Sequence, residues 1–242
     1  MAIPPYMHPF VLDVKPVGRH RQGNIDVHTA GLNTETPRPA VVFVHGGPLP
    51  AEVKPRPRDW PTFLGYGALA ASSDLVGVTV DHRLHSGTDY PVAAEDVVSA
   101  VERARGLDGV DPDRVGLWFF SGGGPLSADW LAAPPPWLRC VALTYPILAL
   151  PGSEKTRFNA VAALSTVPTV PILLTRVGHE YPEAARTQDA FVDAAGANGV
   201  ALHVIEVPGG QHGFDSLDHT DESRAAVTEA MTWVSETLRG TG

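Results

Sequence analysis

The sequence predicts a doubly wound α/β fold, in which a mostly parallel sheet of about eight strands carries helices on both faces. Continuous apolar runs recur along the chain, and such runs are typical of parallel strands that are covered on both sides. Amphipathic stretches alternate with the later runs, which is the order that builds a doubly wound sheet. The 242 residues are enough for one domain with a full hydrophobic core.

The strands are predicted one after another along the chain. Two segments that alternate between apolar and polar residues come first and are expected to pair, and six apolar runs follow. These segments are residues 10–15, 24–29, 40–44, 75–80, 115–120, 140–143, 172–175 and 201–207. Amphipathic patterns predict helices over residues 91–105, 183–195 and 221–238. Residues 147–170 lack a clear pattern, so we expect a small lid or a crossing segment there, within a single domain of residues 1–242.

Composition and charge argue against several classes of protein. The net charge of −9, with scattered basic residues, disfavours nucleic acid or an anionic membrane surface as the main partner. No apolar run approaches the roughly 18 residues that a membrane span needs. Cys140 is the only cysteine, so no internal disulfide can form. No signal peptide is visible, and we expect a cytoplasmic protein.

A serine followed by glycines ends one of the apolar runs. Ser121 follows residues 115–120 and precedes Gly122, Gly123 and Gly124, which predicts a strand, a sharp turn and a helix. A serine on such a turn presents its hydroxyl at the end of the sheet, where it can attack a carbonyl carbon. The N–H of Gly122 is then a candidate donor to the oxyanion. The alternative is a serine that caps an ordinary helix.

Two further segments supply what a serine nucleophile needs. Gly46 and Gly47 follow the apolar run 40–44, and their backbone N–H groups can approach a substrate oxygen. His45 beside them is interpreted as structural. His212 lies in a glycine-flanked loop after the run 201–207, where an imidazole can reach over the sheet end and act as the base.

The orienting acid is expected in the loop after residues 172–175. Glu180 lies at that position, and an acid there can hold the imidazole in the correct orientation. Glu183 and Asp189 are alternatives, although both fall in the predicted helix. The alternative role for Glu180 is a solvated loop charge.

Together these residues resemble the α/β-hydrolase superfamily, and within it the dienelactone-hydrolase-like and hormone-sensitive-lipase-like serine esterases. The resemblance covers residues 39–233 and includes the segments 81–84, 90–96 and 111–115. Three positions depart from the family pattern. Phe119 stands where glycine is usual before the nucleophile, Pro48 replaces a third glycine, and Glu180 stands where aspartate is more usual. Dienelactone hydrolases use a cysteine nucleophile, whereas Cys140 lies away from the turn.

The resemblance implies a serine hydrolase that cleaves a carboxylic ester through an acyl-enzyme intermediate. Ser121, His212 and Glu180 form the catalytic triad in this prediction, and no cofactor or metal is needed. The expected partner is a small ester substrate, bordered by Phe120, Tyr145 and Phe214, and a homo-oligomer is allowed. The alternatives are a lactone or thioester hydrolase, an acyltransferase, or a non-catalytic protein of the same fold that binds a ligand or a partner protein.

Overall fold

A computed structural model describes residues 3–152 and 157–240 of the chain. Within them an eight-stranded sheet has the strand order β1-β2-β4-β3-β5-β6-β7-β8. The strands are β1 (Gly18–Gln22), β2 (Ile25–Thr29), β3 (Arg38–Val44), β4 (Val76–Val80), β5 (Val110–Phe120), β6 (Leu138–Thr144), β7 (Ile172–His179) and β8 (Leu202–Gln211). From β4 onward through this order each strand runs parallel to its neighbour, whereas β2 pairs antiparallel with both β1 and β4. The predicted fold class is confirmed.

Helices cover both faces of the sheet. They are α1 (Pro61–Ser72), α2 (Tyr90–Arg105), α3 (Ala128–Ala132), α4 (Ala160–Ala163), α5 (Pro182–Asn198), α6 (Phe214–Leu217) and α7 (Asp221–Arg239). The apolar patterns predicted α2, α5 and α7. They missed α1, because its two glycines, Gly65 and Gly67, obscure the helical signal. In the described part of the chain, none of the helices has the length and apolar character that crossing a membrane requires.

Two hydrophobic clusters lie on opposite faces of the sheet. Successive residues of β5 alternate between them, because side chains of a strand point to alternate faces. Leu117 and Phe119 belong to one cluster, whereas Trp118 and Phe120 belong to the other. All four side chains are at most 1% exposed. The strand that leads to Ser121 is therefore fixed by packing on both sides.

The prediction of a strand over residues 10–15 is wrong. The first strand is β1, whose residues are all exposed and which pairs with β2. Phe10 and Val11 are buried in irregular backbone instead. The Phe10 ring packs on Tyr66 of α1, with ring centroids 4.8 Å apart, and the Val11 N–H donates to the carbonyl of Asp215 at 2.8 Å. These apolar residues therefore pack their segment onto the rest of the fold, including α1, without forming a strand.

The segment 147–170 crosses between helices on one face of the sheet. Within it α4 packs against α3 and α5, and Ala160, Leu164 and Val170 are buried. Residues 153–156 lie outside the described residues. The described residues of this segment do not line the cavity at Ser121. A lid function for the segment stays a prediction.

Candidate active site

Ser121 lies on a sharp turn at the carboxyl end of β5. Its φ is +51°, a left-handed conformation that is uncommon for residues other than glycine. The glycines that follow are required by close contacts with neighbouring loops. A Cβ on Gly122 would collide with the carbonyl of Gly47, and one on Gly123 would lie 2.6 Å from the carbonyl of His45. The turn therefore holds the serine hydroxyl at the end of the sheet, beside the loop that follows β3.

The turn continues as a 3₁₀ helix over Ser121–Ser127 and enters α3 only at Ala128. The sequence predicted a helix after this turn, and the first seven residues of that helix are 3₁₀ instead of α-helical. Three consecutive glycines have low helix propensity, and Pro125 lies inside the turn. The Ser121 carbonyl accepts from the N–H of Ile147 at 2.9 Å, which anchors the turn from the loop after β6.

Phe119 does not disturb this turn. Its side chain is completely buried in the cluster on the face opposite to that of Phe120, and it does not line the cavity at Ser121. Ser121 keeps its left-handed conformation with this bulky residue two positions earlier. The departure from glycine is accommodated by core packing.

Ser121, His212 and Glu180 form a continuous hydrogen-bonded chain. Ser121 Oγ lies 2.7 Å from His212 Nε2, and His212 Nδ1 lies 2.7 Å from Glu180 Oε1. The three residues directly follow β5, β8 and β7, so parallel strand ends bring them together. With its proton on Nδ1, the imidazole donates to Glu180 and offers Nε2 as the acceptor for the serine hydroxyl.

The Glu180 carboxylate is held by two further donors. The Tyr181 N–H donates to Oε1 at 2.8 Å, and Gln188 Nε2 of α5 donates to Oε2 at 3.1 Å. The side chain of Glu180 is only 2% exposed. The two alternatives, Glu183 and Asp189, are 76% and 61% exposed and pair with arginines on the outer surface of α5 and β7.

Gly46 and Gly47 lie against the serine turn. A Cβ on Gly46 would come within 2.8 Å of Ser121 Cβ. Among the loop hydrogen bonds of the described residues, none uses the N–H of Gly46 or Gly47. On the other side of the turn, the Tyr90 hydroxyl donates to the carbonyl of Gly122 at 2.9 Å, which fixes the peptide that follows.

His45 supports this glycine loop from below. Its ring stacks on His82 with centroids 3.7 Å apart, and its Nδ1 donates to the Gly46 carbonyl at 2.5 Å. His82 Nε2 donates to the His45 carbonyl at 2.9 Å. Burial lowers the pKa of His82 to about 4 and lowers that of His45 well below its usual value. Both imidazoles are therefore neutral, and the role of His45 is to hold the glycine loop in place.

A cavity of about 390 Å³ opens at Ser121. The predicted residues Phe120 and Tyr145 line it. Four further aromatic side chains also line it: Tyr6 from the segment before β1, Trp60 and Phe63 from α1 and its preceding turn, and Tyr181 from the loop after β7. Phe214 lies behind Tyr145, with its ring edge-on at a centroid distance of 5.9 Å, and is 1% exposed. It supports the wall and does not form it.

Several residues of the site were not predicted from the sequence. Gln188 and Asp215 lie at positions that carry no local motif, and their contacts depend on tertiary packing. Tyr90 begins a segment of the family resemblance, but that segment predicts no role for its hydroxyl. For Trp60, a hint lies in the closely spaced aromatic residues Trp60, Phe63 and Tyr66, in a stretch for which the sequence predicted no strand or helix.

The fold is that of α/β-hydrolases of known structure. An arylesterase gives a TM-score of 0.73 at 16% identity and covers 94% of this chain and 88% of its own. A thermostable carboxylesterase cloned from a metagenomic library gives 0.71 at 19% identity, over 94% of this chain and 92% of that one. Dipeptidyl peptidase 4 from Porphyromonas gingivalis gives 0.70 at 14% identity over 87% of this chain, which spans only 33% of that peptidase.

No protein-family model matches the sequence. No curated protein matches it either. At the identities given above, structural similarity establishes the fold, and the activity has to be argued from the site.

Proposed function

We propose that this protein is a serine hydrolase that cleaves carboxylic esters through an acyl-enzyme intermediate. The observation that carries the proposal is the chain of 2.7 Å contacts from Ser121 through His212 to Glu180, on a turn with φ of +51°. The esterases of similar structure support the same reaction class. Ser121 is the nucleophile, His212 the base and Glu180 the orienting acid in this mechanism.

Acylation begins when the hydroxyl of Ser121 attacks the ester carbonyl carbon. The Oγ–carbon bond forms as the proton moves to His212 Nε2, and the carbonyl π electrons move onto oxygen. In this mechanism the N–H groups of Gly122 and Gly47, with that of Gly46, hold the oxyanion. The oxyanion then collapses, the ester carbon–oxygen bond breaks, and the leaving alkoxide takes the proton from His212.

Deacylation repeats these steps with water as the nucleophile. His212 removes a proton from water, hydroxide attacks the acyl carbon, and the proton returns to Ser121 as the acid leaves. Glu180 keeps the imidazole oriented and stabilises its protonated form in both halves of the reaction.

Cys140 has no part in this mechanism. Its thiol is buried, and burial raises the pKa of the thiol to about 12, so we interpret Cys140 as a residue of the hydrophobic core.

A panel of p-nitrophenyl esters of increasing acyl length, assayed beside lactones and thioesters, tests this reaction class. We expect esters to give the highest kcat/KM. A preference for lactones or thioesters would instead favour the related hydrolases on the same triad. A folded protein that turns over none of these substrates would favour the non-catalytic alternative.

Replacing the orienting acid Glu180 should lower kcat less than replacing the nucleophile Ser121 does, but the loss should still be large. We expect Glu180→Gln to lower kcat about 10²–10⁴-fold, because the imidazole loses its orientation and its charge partner. Glu183→Gln and Asp189→Asn are matched controls on exposed carboxylates and should stay near wild type. Steady-state kinetics on the three variants measures this. A larger loss at either control would overturn the assignment of Glu180.

The cavity is expected to select against anionic acyl groups. Among its described lining residues no lysine or arginine occurs, and Asp215 adds a buried carboxyl group. We expect p-nitrophenyl butyrate to exceed p-nitrophenyl hemisuccinate about 10- to 100-fold in kcat/KM, because the second carboxylate would be desolvated without a partner. The two acyl chains have the same length, so the pair isolates the charge. Equal rates, or a preference for the hemisuccinate, would contradict the expectation.

The location and assembly of the protein stay predictions. We propose a cytoplasmic protein that acts as one domain over residues 1–242, with a homo-oligomer allowed. Cell fractionation and light scattering of the purified protein test these points.

A further inference from the structure

A buried carboxyl group lies beside His212 and has no part in the mechanism above. Asp215 is the second residue of α6 and is 1% exposed. Its carboxyl oxygens accept hydrogen bonds from the Tyr66 hydroxyl at 3.0 Å and from the Tyr145 hydroxyl at 2.9 Å. Two phenols, one from α1 and one from the loop after β6, therefore hold this carboxyl group at the cavity.

Tyr145 connects this carboxyl group with the histidine. Its ring lies against the imidazole of His212, with centroids 4.7 Å apart, while its hydroxyl bonds to Asp215. The backbone of Tyr145 is in the left-handed region, with φ of +37°, and its N–H donates to the Thr175 carbonyl at 2.9 Å. The fold thus tolerates an uncommon backbone conformation that places this side chain between Asp215 and His212.

The charge balance around Asp215 points to His212. Burial raises the pKa of Asp215 to about 6, and the opposing influences are, in order, the hydrogen bonds from Tyr145 and Tyr66, the hydrogen bond from its own backbone N–H, and the positive charge of His212. The titratable groups that face this carboxyl are therefore the two tyrosines and the histidine, and Glu180 lies beyond the imidazole at Nδ1. A buried carboxylate is costly unless a positive charge lies near it. Of these neighbours, His212 is the one that can become a cation.

We propose that Asp215, held by Tyr66 and Tyr145, is a positioning residue whose negative charge stabilises protonated His212 during acyl transfer. The inference rests on the proposed function. When the proton of Ser121 reaches Nε2, Glu180 balances the new charge through its direct hydrogen bond, and Asp215 adds a second negative charge through space. No bond to Asp215 forms or breaks, and the two phenols stabilise its ionised form.

This role has a consequence for stability. In the unfolded chain an aspartate ionises near pH 4, roughly its reference value, whereas folded Asp215 ionises at about 6. The protonated carboxyl therefore stabilises the fold fully below roughly pH 4, and this contribution is lost as the pH rises through about 6. Above that pH a neutral side chain of the same shape should be tolerated at least as well. A residue that served packing alone would lose stability on replacement.

The test compares Asp215→Asn with Asp221→Asn, a control that removes the same charge from a fully exposed carboxylate of α7. At pH 8 we expect Asp215→Asn to lower kcat about 5- to 50-fold, with KM within about twofold of wild type. Its Tm should lie at or above that of the wild type. The NMR titration of His212 Cε1–H should move to lower pH, because a neighbouring negative charge has been removed. Asp221→Asn should match the wild type in all these measurements.

The outcomes separate the possible roles. A folded Asp215→Asn with wild-type kcat overturns the inference, as does a fall in kcat without a shift of the His212 titration. If Asp215→Asn does not fold, Tyr66→Phe decides. Loss of that donor raises the pKa of Asp215, so the rise of activity with pH should move to higher pH, and an unchanged profile overturns the inference. The NMR titration needs no turnover. A shifted titration in a protein that hydrolyses no ester would refute the proposed function and leave the coupling of Asp215 to His212 standing.

Discussion

Replacing Ser121 by alanine is expected to abolish ester hydrolysis, with a loss of about 10⁴–10⁶ in kcat, while the protein stays folded. The substitution removes the oxygen that lies 2.7 Å from His212 Nε2. Alanine keeps the Cβ that serine already carries at φ of +51°, so the change adds no new backbone strain. The effect should therefore be confined to the chemistry.

Steady-state assays with a p-nitrophenyl ester, together with thermal melts, measure both parts of this prediction. Ser235→Ala is a matched control, because Ser235 is another buried serine, on α7, that bonds to the Thr232 carbonyl within its own helix. It should keep wild-type kcat. Wild-type-like hydrolysis by purified Ser121→Ala would remove Ser121 from the mechanism.

Loss of the base should be about as severe as loss of the nucleophile. We expect His212→Ala to lower kcat about 10⁴–10⁶-fold, because a neutral serine hydroxyl is a poor nucleophile without a group that takes its proton. His203→Ala is the matched control, since His203 lies on β8 with a partly exposed side chain near Glu229. Retention of more than about a few per cent of kcat/KM in His212→Ala would mean that another base is at work.

The pH profile gives a second measure of the same base. In the wild type, kcat/KM should rise with pH within roughly pH 5 to 8, because a histidine base must be neutral to accept a proton. Burial lowers the pKa of His82 to about 4 and that of His45 well below its usual value, so neither imidazole contributes to this rise. Asp215, whose pKa burial raises to about 6, contributes to the rise only through the effect of its charge on His212. The limb should vanish together with the activity in His212→Ala. A limb that survives in the residual activity of this variant would belong to another group.

The central part of the fold could be predicted from the sequence, because strands that are buried on both faces consist of continuous runs of apolar residues. β3, β4 and β5 are buried along nearly their whole apolar runs. The edge strand β1 has no such run of apolar residues, since its five residues are all exposed and its assignment depends on pairing with β2. The apolar residues Phe10 and Val11 misled the prediction, because tertiary packing onto α1 buries them without a sheet.

The residues that meet at the strand ends were predictable for the same reason. Ser121, Glu180 and His212 each directly follow a strand of the parallel sheet, and parallel strands end at one edge. Their positions directly after these strands therefore bring the three residues close together. The hydrogen-bonded chain of these three side chains is what the structure adds.

The surroundings of these residues could not be predicted, because they are assembled from distant parts of the chain. Tyr66 and Asp215 form a hydrogen bond across 149 residues, and Gln188, which holds Glu180, also donates to the Pro146 carbonyl across 42 residues. Neither contact follows from a local pattern or from strand order. Helix packing on the sheet decides both, and that packing depends on side-chain shape along the whole interface.

Labelling of the wild-type protein with a fluorophosphonate probe tests the central claim most directly. The probe forms a covalent bond with a serine that a neighbouring base has activated, and peptide mass spectrometry identifies the residue. We expect one adduct, on Ser121, that forms rapidly in the wild type and is lost or greatly slowed in His212→Ala. A folded wild-type protein that carries no adduct, or carries it on a serine other than Ser121, would contradict the account.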